Sequence, residues 1–132
     1  MVSLNSADPD NDGVTVTAGN KIVPTTPGNY NVSVSVQLTN TDSQAHDAIF
    51  WFRRNGTDVA DSASVVTVPS THGGRNGQLI FYVDLALRFQ IGDYLQIAWA
   101  VTNTAVKLET IAAGTTPVYP RSPSVIITVV QV

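Results

Sequence analysis

Residues 30–40 read YNVSVSVQLTN. Tyr30, Val32, Val34, Val36 and Leu38 alternate with Asn31, Ser33, Ser35, Gln37 and Thr39. Side chains of an extended strand point to opposite faces in turn, so this period of two predicts a strand with one apolar and one polar face. Such a strand belongs to an antiparallel sheet that packs on a core with one side only. Its neighbours repeat the signal with different parity. Residues 78–87, QLIFYVDLAL, put Leu79, Phe81, Val83, Leu85 and Leu87 on one side. Residues 94–103, YLQIAWAVTN, put Leu95, Ile97, Trp99 and Val101 opposite Tyr94, Gln96, Ala98 and Ala100.

Two stretches break the alternation. In AIFWFRRNGTDVADS, residues 48–62, three aromatic residues stand in a row: Phe50, Trp51 and Phe52. In SVIITVVQV, residues 124–132, Val125, Ile127 and Val129 share one face while Ile126, Val130 and Val132 share the other. Both strands are apolar on both sides. In a two-layer sandwich one face meets the core, and the other must meet water, a loop or another chain. A patch containing Phe50, Phe52, Ile126 and Val130 would reach several hundred Å², on the order of the largest seen on monomers. The expectation is therefore a subunit interface. The alternative is cover by the proline-rich segment holding Pro117, Pro120 and Pro123. Which parity is core and which is interface stays open at this point.

Between the strands lie turn signals. Asn55-Gly56 predicts a tight hairpin, because both positions tolerate positive φ. Gly92-Asp93 marks another turn, Pro69 ends a strand, and STHGGRNG, residues 70–77, reads as a flexible loop. Strand signals recur about every ten residues, which suggests eight or more strands in a sandwich or barrel. The fold class predicted is all-β, an antiparallel β-sandwich of jelly-roll type.

The bulk composition agrees with one domain. The chain has 132 residues, no cysteine, a formal net charge of -3 and only 13% charged residues. It carries no disulfide and no thiolate chemistry, and no basic patch of the kind nucleic acids or anionic membranes require. So sparse a charge is easier to understand in a chain that hides part of its surface in an assembly. The start, MVSLNSADPD, lacks the basic and apolar regions of a secretion signal, and no run is long enough to span a membrane.

Candidates for chemistry are few. Asp8, Asp10 and Asp12 alternate before Gly13, like the first half of an EF-hand loop. The twelfth position would be Gly19 rather than glutamate, so an acidic solvated turn is expected, with these aspartates the one metal candidate. His46 and His72 have no spacing that unites them and are expected in exposed loops. Serines occur without a G-x-S-x-G motif, and Glu109 is the only glutamate. The expectation is a protein without catalytic residues and without a cofactor. Arg53 and Arg54 are expected to play structural roles, paired with Asp58 and Asp61.

Four segments together carry a family likeness: PGNYNVSVSVQL, WFRRNGTDVADS, IGDYLQIAWA and PSVIITVVQV. In order and spacing they resemble the small jelly-roll modules of bacteriophage virion proteins, which are similar to the C1q/tumour-necrosis-factor fold. The resemblance covers roughly residues 13 to 132. Val32 and Val34 stand where the C1q pattern has aromatic residues, which favours the phage branch. It implies a homotrimer whose doubly apolar strands surround the threefold axis. The interface candidates are Phe50, Trp51, Phe52, Tyr94, Ala98, Ala100, Ile126 and Val130. It also implies residence in the virion, assembled in the host cytoplasm, with the major capsid protein or another virion protein as partner. The expected role is shell decoration, or cement. The alternative is the receptor-binding head of a tail or capsid fibre that binds host glycan. Residues 1–12 precede the resemblance and are expected to form an arm, its apolar residues Met1, Val2 and Leu4 docking on the capsid. So short a lead before the first strand favours decoration over a fibre head, which usually follows a shaft.

Overall fold

A computed structural model describes all residues, 1–132. The chain forms β1 (Val14–Thr17), β2 (Lys21–Pro24), β3 (Gly28–Asn40), β4 (His46–Arg54), β5 (Thr57–Asp58) and β6 (Ser64–Val68). It continues through β7 (Gly77–Phe89), β8 (Leu95–Val101), β9 (Val106–Leu108), β10 (Gly114–Thr115), β11 (Val118–Tyr119) and β12 (Val125–Gln131). All pairings are antiparallel and there is no helix. The first sheet runs β1-β2-β8-β4-β5, with β6 also paired to β4. The second runs β12-β3-β7, with β9 paired to β3 beyond the end of β12. The strands β10 and β11 form a separate hairpin.

The alternation of β3 is realised residue by residue. Tyr30, Val32, Val34, Val36 and Leu38 are buried. They meet Ala48, Phe50 and Phe52 of β4 and Leu95 and Ile97 of β8 in one core. Phe50 stacks on Phe81 of β7 across the sandwich, with ring centroids 5.1 Å apart, and on Trp99 of its own sheet at 5.9 Å. Most buried polar groups are bonded, the Thr39 hydroxyl being an exception. Tyr30 donates its hydroxyl to the Thr26 carbonyl at 2.7 Å. Asn40 donates to the carbonyls of Gln44 and Pro69 and accepts from the Asp42 N–H, fastening the turn between β3 and β4. Ser62 accepts from the Phe52 N–H at 3.1 Å, supplying a ladder bond where β5 has ended and β6 has not begun.

The turns form for the expected reason. Asn55 and Gly56 have φ of 52 and 81, the left-handed pair that a two-residue hairpin loop needs. Gly77 starts β7 against the Pro69 carbonyl, where a Cβ would lie 1.7 Å from the oxygen, so only glycine fits. The glycine-rich loop closes on itself, with His72 and Arg75 exchanging both backbone hydrogen bonds.

Two expectations need correction here. The doubly apolar strands β4 and β12 belong to different sheets, so their outward residues form no common patch. The arm is not free either. Val2 is 1% exposed and part of the core, and its N–H donates to the Ile97 carbonyl at 2.8 Å. Leu4 packs against the same core and its N–H is bound by the Asn20 side chain. Beyond its single pairing with β2 at Leu95, β8 leaves an open edge, and Val2, Leu4 and these two hydrogen bonds hold the segment there.

Candidate functional site: the outer face of the second sheet

Register places the outward residues of β12, β3 and β7 in rows. Ile126, Ser35 and Tyr82 form one row, Thr128, Ser33 and Asp84 the next, and Val130, Asn31 and Ala86 a third. Ile80 lies beside Gln37 on the far side of the Tyr82 row. The result is a neutral polar stripe along β3 flanked by large apolar residues on both neighbouring strands. Ile80 is 67% exposed, Tyr82 58%, Ile126 50% and Val130 52%. The segment from 110 to 124 does not cover them. Its hairpin projects instead, leaving Val118 85% exposed.

Charge is sparse along the middle of this face, with the exposed Arg88 and Lys107 sharing its parity towards the two ends. Asp84 is its central ionisable group, and both carboxylate oxygens are engaged. Ser33 donates its hydroxyl to one, and Tyr82 donates to the other at 2.8 Å. These two hydroxyls, Ser33 first, hold the Asp84 carboxyl below its ordinary value. Tyr82 thereby has its ring fixed against the sheet by its own hydroxyl. Gln37 is likewise tied, donating to the Pro123 carbonyl at 2.9 Å. The face is thus pre-ordered, apolar at its margins and low in desolvation cost, which suits the centre of a protein interface.

The outward face of the first sheet differs. Trp51 donates its indole N–H to Asp58 at 3.0 Å, and Arg53 Nε lies 2.9 Å from the same oxygen. Thr67 donates to Asp47, and the Lys21 ammonium sits over the Tyr94 ring, 4.4 Å from its centroid. Trp51 and Arg53 are half-buried among these partners. These partners cover Trp51 and Arg53, while Val65, paired with Ile49 on the same face, stays 66% exposed.

The expected interface set therefore splits. Phe50 and Phe52 are buried inside the core and cannot meet another chain, which corrects their assignment, while Ala98 lies on the outer face opposite Trp51 but is only 4% exposed. Trp51 and Tyr94 face outward on the first sheet among partners of their own, with Ala100 exposed nearby. Ile126 and Val130 lie on the second sheet's outer face. Sequence reasoning missed Ile80 and Tyr82. Their signal was present: the parity opposite Leu79 and Phe81 in QLIFYVDLAL is also apolar at one end.

The remaining candidates fall apart from one another. Asp8 accepts the Asp10 N–H at 2.9 Å in a local turn, and no three His, Asp or Glu side chains converge as metal ligands would. His46 is not an exposed loop residue. It begins β4, mostly buried, with Nε2 2.6 Å from Asp42. That bond is the main cause of a lowered Asp42 pKa. The Ser43 hydroxyl reaches the Asp42 carboxylate and not the imidazole. Arg54 donates to the Arg88 carbonyl at 3.0 Å rather than pairing with Asp61. Glu109 accepts from Gln78 at the rim of a shallow depression beside Ile80.

No protein-family model matches the chain, and no curated protein matches its sequence.

Proposed function

We propose that this protein is a non-enzymatic structural component of a bacteriophage virion, a homotrimeric jelly roll that decorates the shell. The observation that carries the reading is the pre-ordered outer face of β12-β3-β7. Its half-exposed Ile80, Tyr82, Ile126 and Val130 surround a nearly uncharged stripe. Covering each of these side chains would stabilise an assembly by about 1 kcal/mol. Three copies meeting through this face around a common axis would close the assembly.

The two opposed antiparallel sheets support the sandwich part. An eight-stranded jelly roll opposes two sheets of four strands. The strand count here is close to that, with β2-β8-β4-β6 on one side and β12-β3-β7 on the other, but the first and last strands lie in different sheets, so the jelly-roll part rests on the resemblance. The resemblance of residues 13 to 132 to phage virion modules supplies the biological setting. A fibre head is the second reading, and the projecting Gly114–Thr115 and Val118–Tyr119 hairpin favours it, since exposed Val118 and Tyr119 could meet a receptor.

Co-sedimentation with undecorated phage shells tests the role. Decoration requires the protein to pellet with shells at a fixed ratio. Failure to bind shells, with binding to host cells instead, would replace decoration by the fibre-head reading.

A further inference from the structure

β12 has one partner, and its other edge is open. Gln37 donates its N–H to the Ser124 carbonyl at 2.8 Å, and Val132 donates to the Asn29 carbonyl at 2.9 Å. Hydrogen bonding alternates along an antiparallel strand. The even-numbered residues of β12 therefore bond to β3. Val125, Ile127 and Val129 turn their N–H and C=O groups away from it. Nothing in the chain bonds to these groups, although residues 3–11 pass nearby. Between that segment and the open edge runs a groove of about 820 Å³. Leu4, Val14 and Ile22 contribute to its apolar lining, together with the half-buried side chains of Val125, Ile127 and Val129. Its lining carries two carboxylates, Asp8 and Asp10, and one cation, Arg121, none of which forms an ion pair, so its net charge is negative.

We propose that this groove binds an extended, basic segment of a partner protein by adding it as a strand beside β12. Three residues offering free N–H and C=O groups match a guest of five to seven residues at about 3.3 Å each. Guest residues opposite Val125, Ile127 and Val129 must be apolar, because their side chains point into the same core layer. The intervening residues face the lip, where Lys or Arg would meet the carboxylates of Asp8 and Asp10. Main-chain bonding supplies affinity, and the alternation with basic positions supplies selectivity. The site does not depend on the trimer, so it stands or falls separately from the proposed function.

The test is fluorescence anisotropy of the full chain with labelled Lys-Val-Thr-Val-Thr-Val-Lys. The control is the same peptide N-methylated at its three valines, which keeps side chains and charge but removes the bonding N–H groups. Saturable binding is expected, weakened at least about tenfold by N-methylation. The Asp8→Lys/Asp10→Lys protein should bind roughly threefold to tenfold more weakly at low salt. Equal binding of both peptides, or no binding of either, overturns strand addition. Unchanged affinity in the charge-reversed protein overturns the basic character of the partner. Val129→Pro removes an edge N–H without touching the β3 ladder. If it lowers the mass of the peptide-free protein, a second copy occupies the edge and the proposal fails.

Discussion

The two outward faces of this sandwich solve one problem in opposite ways. Both sheets carry apolar residues on the side away from the core. On the first, Trp51 and Arg53 converge on Asp58, Thr67 on Asp47, and Lys21 on Tyr94, so polar partners cover most of the face and Val65, beside Ile49, is its one large apolar side chain left widely open. On the second, Ile80, Tyr82, Ile126 and Val130 stand half-exposed or more around neutral polar residues. A strand that is apolar on both sides does not by itself announce an interface. What matters is whether local polar partners finish the outer face or leave it unfinished.

The largest effect expected from a single change is at Phe52. It was a candidate for the interface but is 2% exposed in the core. Phe52→Asp should cost more than about 4 kcal/mol by burying a charge without a partner. Circular dichroism at 25 °C should show an unfolded chain. A folded monomer would mean that Phe52 faces outward after all. Next comes the N-terminal segment. Removing residues 1–5 takes Val2 from the core and should cost about 2 kcal/mol, lowering the melting temperature by roughly 5–10 °C. An unchanged melt would restore the free arm.

Asp58→Ala should unpin Trp51 and Arg53 while leaving the mass of the proposed trimer unchanged. Asp58 is largely exposed, so the loss should be about 1 kcal/mol or less, read from a denaturant midpoint. A change in mass would bring the first sheet into the interface. The smallest effect concerns Asp93, which accepts the Gln90 N–H at 2.8 Å and the Asn55 side-chain N–H at 2.7 Å. These bonds, Gln90's first, lower its pKa below the ordinary 3.8. A depressed carboxyl stabilises the fold above its unfolded value and loses that contribution as pH falls through its folded one. The advantage of wild type over Asp93→Asn should thus be full at pH 5 and above and fade below 3.8. An advantage that persists undiminished at the acid end would contradict this.

Much of the architecture is legible in local pattern. The strict alternation in residues 30–40 and the Asn55-Gly56 turn each depend on neighbours in sequence, and each appears as expected. The core parity of β4 was not legible. Arg53 shares its side with Ile49 and Trp51, but Arg54 equally shares the side of Phe50 and Phe52. In β12, Thr128 and Gln131 stand on opposite sides in the same way. Sheet membership was not legible, because β4 and β12 look alike in composition and only long-range pairing separates them. Val2 gave no signal either. One valine in a polar segment carries no periodicity, and its burial depends on the open edge of β8, some ninety-five residues away. Asp58 as a shared partner of Trp51 and Arg53 depends on the hairpin folding back, a geometric consequence of the turn.

The most direct measurement is the solution mass of wild type and of Ile126→Asp by sedimentation equilibrium. Wild type should have three times the 14.0 kDa of one chain. Ile126→Asp, placed on the outer face where a charge disrupts packing but not the core, should be a folded single chain with an unchanged circular dichroism spectrum. A wild type that is monomeric at micromolar concentration, or an Ile126→Asp protein that keeps the trimer mass, would contradict the assignment of the β12-β3-β7 face as the subunit interface.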